Sequence, residues 1–384
     1  MREIYLDNAA TTRAYDEVIS YINEINDKYY GNPSSLHTKG IESEKLVKQA
    51  RQRIAASLGV MPGEVLFTSG GTESNNTAIM GYLFANKRKG NHIITSAIEH
   101  PSVLEVYKHL SKNGYRVDIL EVDSNGKIKL DMLEGLVSDE TALVSLIYVN
   151  NETGAIQPVE EAAQIIKSRN NSAVFHVDGV QAYGKLQLNP KKSGIDMVSI
   201  SSHKIHGPKG VGALYIKSGI KVNPLFFGGG QENKLRSGTE NVPGISGFGL
   251  AAEITFKSLE ENNSKLSKLK KFFITQLEEK TDGYLVISPD DGSQYILNTA
   301  FSNLKSEVML HHLEEKGIYV STGSACSSRK NTASHVLKAM NIDSCYLQGA
   351  IRFSFSQFIN KEDIEYTVDA IKDIIPRIRY GGKR

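Results

Sequence analysis

The sequence has few cysteines, no long apolar run and almost no net charge. Cys326 and Cys345 are the two cysteines among 384 residues, and they form no CxxC pair. This excludes a disulfide framework and a cysteine-rich zinc site, and it favours a reduced, cytoplasmic setting. No stretch approaches the roughly 18 apolar residues of a membrane span, and the opening MREIYLDNAATT has no apolar signal core. With 45 basic and 43 acidic residues, neither direct nucleic-acid binding nor membrane binding is expected.

The chain alternates short apolar runs with amphipathic segments. This alternation predicts an α/β fold with a mostly parallel sheet covered by helices. One strand follows its neighbour after a glycine-rich turn and is expected to be antiparallel. The predicted strands are Val65–Thr68, His92–Ala97, Arg116–Val122, Ala142–Val149, Ala173–Asp178, Met197–Ser201 and Val211–Ile216.

The pattern changes near residue 242 and indicates a second, smaller α/β unit. A charged helical region runs from Ser246 to about Glu279. It leads to further strands and helices at Ile296–Phe301, Glu307–Lys316, Ile318–Ser321, Ile351–Phe355 and Lys361–Ile375. We expect a large domain over residues 15–255, and a small domain that combines residues 1–14 with residues 256–384.

Three weak signals for chemistry follow predicted strands. In VLFTSGGTESNN, two glycines precede a helix start at Thr72, which suits a phosphate but also an ordinary capped turn. Asp178 ends a strand where α/β sheets bind ligands, or it is an N-cap or a structural ion pair. Lys204 in SSHKIHGPKG is a candidate for Schiff-base chemistry, although most lysines are exposed charges. No nearby carboxylate or cysteine supports a metal at His203 and His206.

Together these signals are what pyridoxal phosphate needs from a protein: a phosphate cradle, an acid and a lysine. Further motifs occur in order along nearly the whole chain, and the set resembles the NifS/IscS-type cysteine desulfurases of the class V aminotransferase-like group. The resemblance implies a homodimer of the fold-type I architecture, with a large parallel-sheet domain and a small C-terminal domain. The motifs are LDNAATT, YGNPSS, TSGGTESNN, EHPSV, NNETG, HVDGVQ, SSHKIHGPKG, GGGQE, RSGTEN and STGSACSS.

The resemblance also implies residue roles. Lys204 would carry pyridoxal 5'-phosphate, and His100 would stack on its ring and move protons. Asn151 and Arg352 would bind the substrate carboxylate, a task that suits a planar guanidinium. The implied cofactor-binding residues are Gly71, Thr72, His100, Asn151, Asp178, Gln181, Ser201, His203 and Lys204, with Thr239 supplied by the partner subunit.

The loop around Cys326 is the feature that distinguishes the NifS/IscS group from the SufS group of cysteine desulfurases. Its residues, STGSACSSRKN, are small and polar, which is typical of an exposed loop, and the resemblance implies a catalytic thiolate. Cys345 matches no family role and is interpreted as a structural, small apolar residue. Ser356 and Gln357 replace a glycine and an arginine of the family pattern, without touching an implied catalytic role.

The implied reaction converts L-cysteine to L-alanine and leaves a persulfide on Cys326 for a protein acceptor. An iron–sulfur scaffold, a tRNA-thiolating enzyme and a thiamin pathway protein all remain open as acceptors. Two kinds of alternative also stay open. One is another pyridoxal-phosphate reaction on the same fold, such as that of an aminotransferase or a selenocysteine lyase. The other is a sulfur-carrier or interaction protein that has lost catalysis.

Overall fold

The computed structural model describes residues 2–323 and 334–379. Its strands are β1 (Ile4–Tyr5), β2 (Val65–Thr68), β3 (His92–Ser96), β4 (Arg116–Leu120), β5 (Thr141–Ile147), β6 (Val174–Asp178), β7 (Met197–Ser201), β8 (Gly212–Ile216), β9 (Tyr284–Val286), β10 (Ile296–Phe301), β11 (Ile318–Tyr319) and β12 (Ala350–Ser354).

The helices lie between these strands, and α3 and α4 are joined by a π turn at Thr77–Gly81. In the described residues, no helix has both the length and the apolar character needed to cross a membrane. The helices are α1 (Asp16–Lys28), α2 (Thr38–Leu58), α3 (Gly71–Asn76), α4 (Tyr82–Ala85), α5 (Pro101–Lys112), α6 (Leu130–Leu136), α7 (Val159–Arg169), α8 (Val242–Lys257), α9 (Leu259–Lys280), α10 (Ser306–Glu315), α11 (His335–Ala339), α12 (Ser344–Leu347) and α13 (Lys361–Ile378).

The central sheet, as far as the chain is described, has seven strands in the order β2-β8-β7-β6-β5-β3-β4. The five strands from β7 to β4 are parallel, while β8 is antiparallel to both β7 and β2. The prediction of a mostly parallel sheet with one antiparallel strand is therefore confirmed. Because β8 is antiparallel on both sides, β2 runs in the same direction as the parallel strands. The carboxyl ends of β2, β3, β5, β6 and β7 thus meet at one edge of the sheet.

Burial explains why these runs form strands. Every residue of β3, β5, β6 and β7 is buried, as expected for parallel strands covered on both faces. The edge strand β4 differs, because Arg116 is exposed and Asp118 is only partly buried. Charged side chains on an edge strand discourage pairing with another chain.

The C-terminal part has its own sheet and core. Strands β12, β10 and β9 form an antiparallel sheet, and α9, α10 and α13 contribute residues to the apolar cluster around it. The predicted helical region from Ser246 is two helices, which meet at Ser258, and β9 was not predicted. The chain's first residues join this part, since β1 pairs with β11 in parallel and Asp7 bridges to Ser354.

Candidate active site

A cavity of about 240 Å³ lies at the edge where the strand carboxyl ends meet. Its position follows from the topology, because residues that come directly after parallel strands converge at one side of the sheet. Arg352 of β12 adds a wall from the smaller sheet. Ten residues predicted for the site line the cavity: Gly71, Thr72, His100, Asn151, Asp178, Gln181, Ser201, His203, Lys204 and Arg352.

Lys204 lies in a short 3-10 turn directly after β7. Its Nζ donates hydrogen bonds to the carbonyl oxygens of Ala9, at 2.6 Å, and Ala10, at 2.7 Å. The side chain is half-buried, and it is directed into the cavity rather than into solvent. The interpretation of Lys204 as an ordinary surface charge therefore does not fit its surroundings.

Asp178 is the last residue of β6 and is 3% exposed. Its Oδ2 accepts a hydrogen bond from Asn75 Nδ2 at 2.8 Å, and its Oδ1 accepts one from the Val180 amide at 3.0 Å. Within the described residues no cation forms an ion pair with it. A buried carboxylate is costly without a cationic partner, so the cavity is suited to a ligand that brings positive charge.

His100 is the N-cap of α5, which Pro101 begins. Its Nδ1 lies 2.8 Å from Ser102 Oγ, so proton exchange with a ligand would use Nε2. Burial lowers the pKa of His100 below its ordinary value, and Lys204 and His335 lower it further, while Asp178 opposes the shift. The imidazole is therefore neutral near pH 7, and because Nδ1 accepts the Ser102 amide hydrogen at 3.2 Å, Nε2 carries the ring hydrogen.

The glycine turn after β2 meets the end of β7. Ser201 Oγ is buried and has no hydrogen-bond partner in the described structure. A Cβ on Gly71 would lie 2.6 Å from Val180 Cγ2, so close packing alone requires glycine there. Burial lowers the pKa of His203 to about 3, with a further contribution from Lys204. The unpartnered hydroxyl, a neutral imidazole and the start of α3 offer donors to an anion.

Arg352 is 1% exposed and lies in β12 opposite Asn298 of β10. Its Nη1 donates to the Asn151 carbonyl oxygen at 2.9 Å, and its Nη2 donates to Asp7 Oδ1 at 2.7 Å. Its Nε has no partner in the part of the chain that is described. The guanidinium is thus held in place with N–H groups left over for a carboxylate.

The N-terminal segment was missed as part of the site. Residues 7–12 contribute both of the backbone acceptors described for Lys204 and one of the two acceptors of Arg352. Thr11 Oγ1 lies 3.2 Å from His203 Nδ1, and Thr12 Oγ1 donates to the His203 carbonyl oxygen. The LDNAATT motif was the available signal, but most of these contacts use backbone atoms. His203 and His206 therefore both make polar contacts with the N-terminal residues. For His206 the contact is with Arg13, whose carbonyl oxygen lies 2.8 Å from Nδ1.

Among the described residues, Thr239 and Cys345 do not line this cavity. Cys326 lies outside the described residues. Thr239 lines a separate cavity of about 200 Å³ beside Ser69 and Arg236, and its assignment to a partner's site stays a prediction. The interpretation of Cys345 as a structural apolar residue is wrong, because it is exposed at the start of α12, where its amide donates to Asp343 Oδ1.

Lys185 was also missed. It is 5% exposed, and its Nζ donates to Gln181 Oε1 at 2.8 Å. Burial lowers the pKa of Lys185 to about 7, and the nearby cations Lys204 and Arg352 contribute. No sequence signal marks it, because a lysine after a turn is ordinarily a surface residue.

Comparison with known proteins places these features in a family. The family profile described as aminotransferase class-V matches residues 4–367. The "Cysteine desulfurase IscS" of Dictyoglomus turgidum is 42% identical over 379 residues, which cover 98% of this chain and 96% of that protein.

Solved structures give the same result. A structure described as "NIFS-LIKE PROTEIN" has a TM-score of 0.93 and 40% identity, and the match covers 98% of this chain and 100% of that chain. Another, described as "SspA in complex with cysteine", has a TM-score of 0.82 and 33% identity, and the match covers 92% of this chain and 99% of that one.

Proposed function

The chain belongs to the class-V aminotransferase family and is a pyridoxal-phosphate-dependent cysteine desulfurase, and on this premise we propose how its own residues bind L-cysteine and move its sulfur. One observation carries the proposal. An amine, a carboxylate and a guanidinium, those of Lys204, Asp178 and Arg352, line one cavity at the carboxyl edge of the sheet. These are the groups needed for an aldehyde cofactor with a basic ring and for an amino-acid substrate.

The cavity residues fit pyridoxal 5'-phosphate. The buried Ser201 hydroxyl has no partner among the described residues, and it would hold the phosphate with Gly71, Thr72 and His203. Asp178 would pair with the ring nitrogen, Gln181 would donate to the ring oxygen, and Lys204 would attach the cofactor through Nζ. His100 would stack on the ring, next to Asn151. The bound cofactor supplies an aldehyde that captures amines and a ring that withdraws electrons from the captured amino acid.

The substrate would be oriented by Arg352 and Asn151. Arg352 has five N–H donors, and two of them are used by Asn151 and Asp7. The remaining donors can take the carboxylate of L-cysteine in the two-bond arrangement that a guanidinium favours. Because Arg352 is almost fully buried, water competes little for this interaction.

Proton movement would be shared by Lys204 and His100. The amine of Lys204 donates to the carbonyl oxygens of Ala9 and Ala10, which would hold it near the substrate whenever it is not joined to the cofactor. His100 is neutral because burial lowers its pKa. Its Nδ1 accepts the Ser102 amide hydrogen, so Nε2 carries the ring hydrogen and would donate it towards the ligand. General acid–base transfer of this kind needs groups that lie within hydrogen-bond reach of the substrate.

Sulfur transfer would use Cys326. Its thiolate attacks the sulfur of L-cysteine, an S–S bond forms, and the substrate's C–S bond breaks. The bonding electrons of the C–S bond remain with the substrate carbon, which a proton returned by Lys204 or His100 converts to the methyl group of L-alanine. Cys326 keeps the sulfur as a persulfide, so no external oxidant is required.

The partners and the setting are proposed from the likeness to the same family. We propose a homodimer in which Thr239 reaches the partner's phosphate site, and a large domain of residues 15–255 with a small domain of residues 1–14 and 256–384. The persulfide would pass to a protein acceptor in the cytoplasm. That acceptor would be an iron–sulfur scaffold, a tRNA-thiolating enzyme or a thiamin pathway protein.

The test is alanine formation from L-cysteine without any keto acid. The purified protein loaded with pyridoxal phosphate should release L-alanine and, with a thiol reductant, sulfide in equal amounts. A protein that makes alanine only when a keto acid is added would be an aminotransferase. A protein that takes up no pyridoxal phosphate would exclude the proposed reaction altogether.

A further inference from the structure

A second lysine lies behind the cavity and has no assigned part in the reaction. Lys185 follows β6 by a tight turn in which Gly184 adopts φ +70°. A Cβ at Gly184 would come within 2.7 Å of Ile205 Cγ2, so the turn packs closely against the segment after Lys204. This turn brings Lys185 back beneath Gln181, four residues earlier in the chain.

The amine of Lys185 is buried without an anionic partner. Its Nζ donates to Gln181 Oε1 and lies 5.5 Å from the centroid of the Tyr295 ring. Across residues 2–323 and 334–379, no carboxylate forms an ion pair with it. Burying an amine in this way costs free energy, and burial lowers the pKa of Lys185 to about 7. Protonated or neutral, the amine retains N–H groups that can donate to Gln181.

The contacts of Gln181 decide which way its amide points. A glutamine amide can be turned by half a rotation, which exchanges its oxygen and nitrogen. Here the Ala9 carbonyl oxygen, which can only accept, lies 2.8 Å from Nε2. Lys185, which donates, lies on the other side at Oε1. With both partners in place, the NH2 group has one hydrogen at Ala9 and the other left for the cavity.

We infer that Lys185 is a positioning residue that fixes the Gln181 amide so that an N–H group faces the ligand's ring oxygen. The inference rests on the proposed function, because it assumes that pyridoxal phosphate occupies the cavity. Without Lys185, Gln181 Oε1 loses its buried donor and Ala9 alone must hold the amide. The ring oxygen then loses a well-oriented hydrogen bond, which affects both the affinity for the cofactor and the electronic state of its ring.

The experiment compares Lys185→Met with Lys270→Met in the full-length protein. Lys270 is a matched control, because it is also a buried lysine, with a pKa lowered by burial to about 8, and its Nζ donates to the Ser293 carbonyl oxygen far from Gln181 in the chain. Each protein is stripped of cofactor and titrated with pyridoxal phosphate, and its visible absorption band is recorded. We expect Lys185→Met to bind pyridoxal phosphate about tenfold more weakly with a shifted band, and Lys270→Met to match the wild type.

The outcomes separate this inference from the proposed function. A wild-type protein that takes up no pyridoxal phosphate overturns both. A wild type that binds it, together with a Lys185→Met variant of equal affinity and unshifted band, overturns the role of Lys185 alone. If Lys185→Met does not fold, a crystal structure of the loaded wild type decides, and a Lys185 Nζ beyond hydrogen-bond distance of Gln181 contradicts the inference.

Discussion

Replacing Arg352 with lysine keeps the positive charge but removes the planar group that binds in two directions. In the wild type, Nη1 reaches the Asn151 carbonyl oxygen and Nη2 reaches Asp7 Oδ1. A lysine has one nitrogen with three N–H groups. If it keeps the two contacts to Asn151 and Asp7, one N–H at most remains for the substrate carboxylate.

The expected loss is therefore about one charged hydrogen bond to the substrate. Such a bond contributes about 1–3 kcal/mol, which corresponds to a rise in KM for L-cysteine of about 5- to 150-fold. The affinity for pyridoxal phosphate should change little, because Arg352 is assigned to the substrate rather than to the cofactor. The assay is steady-state alanine production over a range of L-cysteine concentrations, with the visible spectrum recorded for each protein.

Arg2→Lys serves as the control. Arg2 pairs with Asp363 at 2.7 Å on the surface, where an ion pair contributes little, so KM should equal that of the wild type. Thermal unfolding of both variants separates a binding defect from a folding defect, since Arg352 also ties Asp7 to β12. A folded Arg352→Lys variant with unchanged KM and kcat would refute the assignment of the substrate carboxylate to this residue.

Three further predictions concern the remaining groups. Lys204→Ala should lose the covalent cofactor linkage, seen as loss of the visible band, and nearly all alanine production; a variant with the wild-type spectrum would contradict the assignment. Cys326→Ala should still bind pyridoxal phosphate and L-cysteine but lose sulfur transfer. Cys345→Ala should match the wild type, because desolvation and then the neighbouring Asp343 raise the pKa of the Cys345 thiol. Mass spectrometry after brief exposure to L-cysteine should find added sulfur on Cys326, and sulfur on Cys345 instead would reject this choice of nucleophile. Burial raises the pKa of Glu99 from 4.5 to about 8. Between these pH values the folded protein keeps the Glu99 proton while the unfolded chain loses it, so the contribution of Glu99 to stability declines as the pH rises. Glu99→Gln should flatten that decline by up to about 1.4 kcal/mol per pH unit in urea unfolding, and parallel curves for the two proteins would argue against a protonated Glu99.

The sequence predicted strands well where an apolar run is bounded by glycine or polar residues. Val65–Thr68 and Met197–Ser201 agree with the structure at both ends, while His92–Ala97 extends one residue too far. The break between α8 and α9 at Ser258 was not predicted because no glycine or proline marks it. The short strand β9 escaped because its three residues carry no clear alternation.

The candidate site was predictable where a side chain follows a strand. Asp178 is the last residue of β6 and Lys204 lies in the turn directly after β7, so topology alone brings them to one edge. The contacts of Lys204 with Ala9 and Ala10 were not predictable, because a backbone carbonyl has no residue signature. Lys185 escaped for a different reason, since its burial depends on the whole tertiary structure. Cys345 was misjudged because the capping turn at Asp343 places it on the surface, against the usual burial of cysteine.

The contacts of the N-terminal segment have a consequence for the order in which the protein folds. Asp7 and Arg352 are 345 positions apart in the chain, as are Ala9 and its partner Ser354. The cavity therefore closes only when these two distant parts of the chain have come together. Contacts so distant in sequence are slow to form, so the substrate-binding wall is expected to be completed after the local parts of the central sheet. Chains that stop before β12 would lack Arg352 and could not assemble the site, even with every residue of the central sheet present.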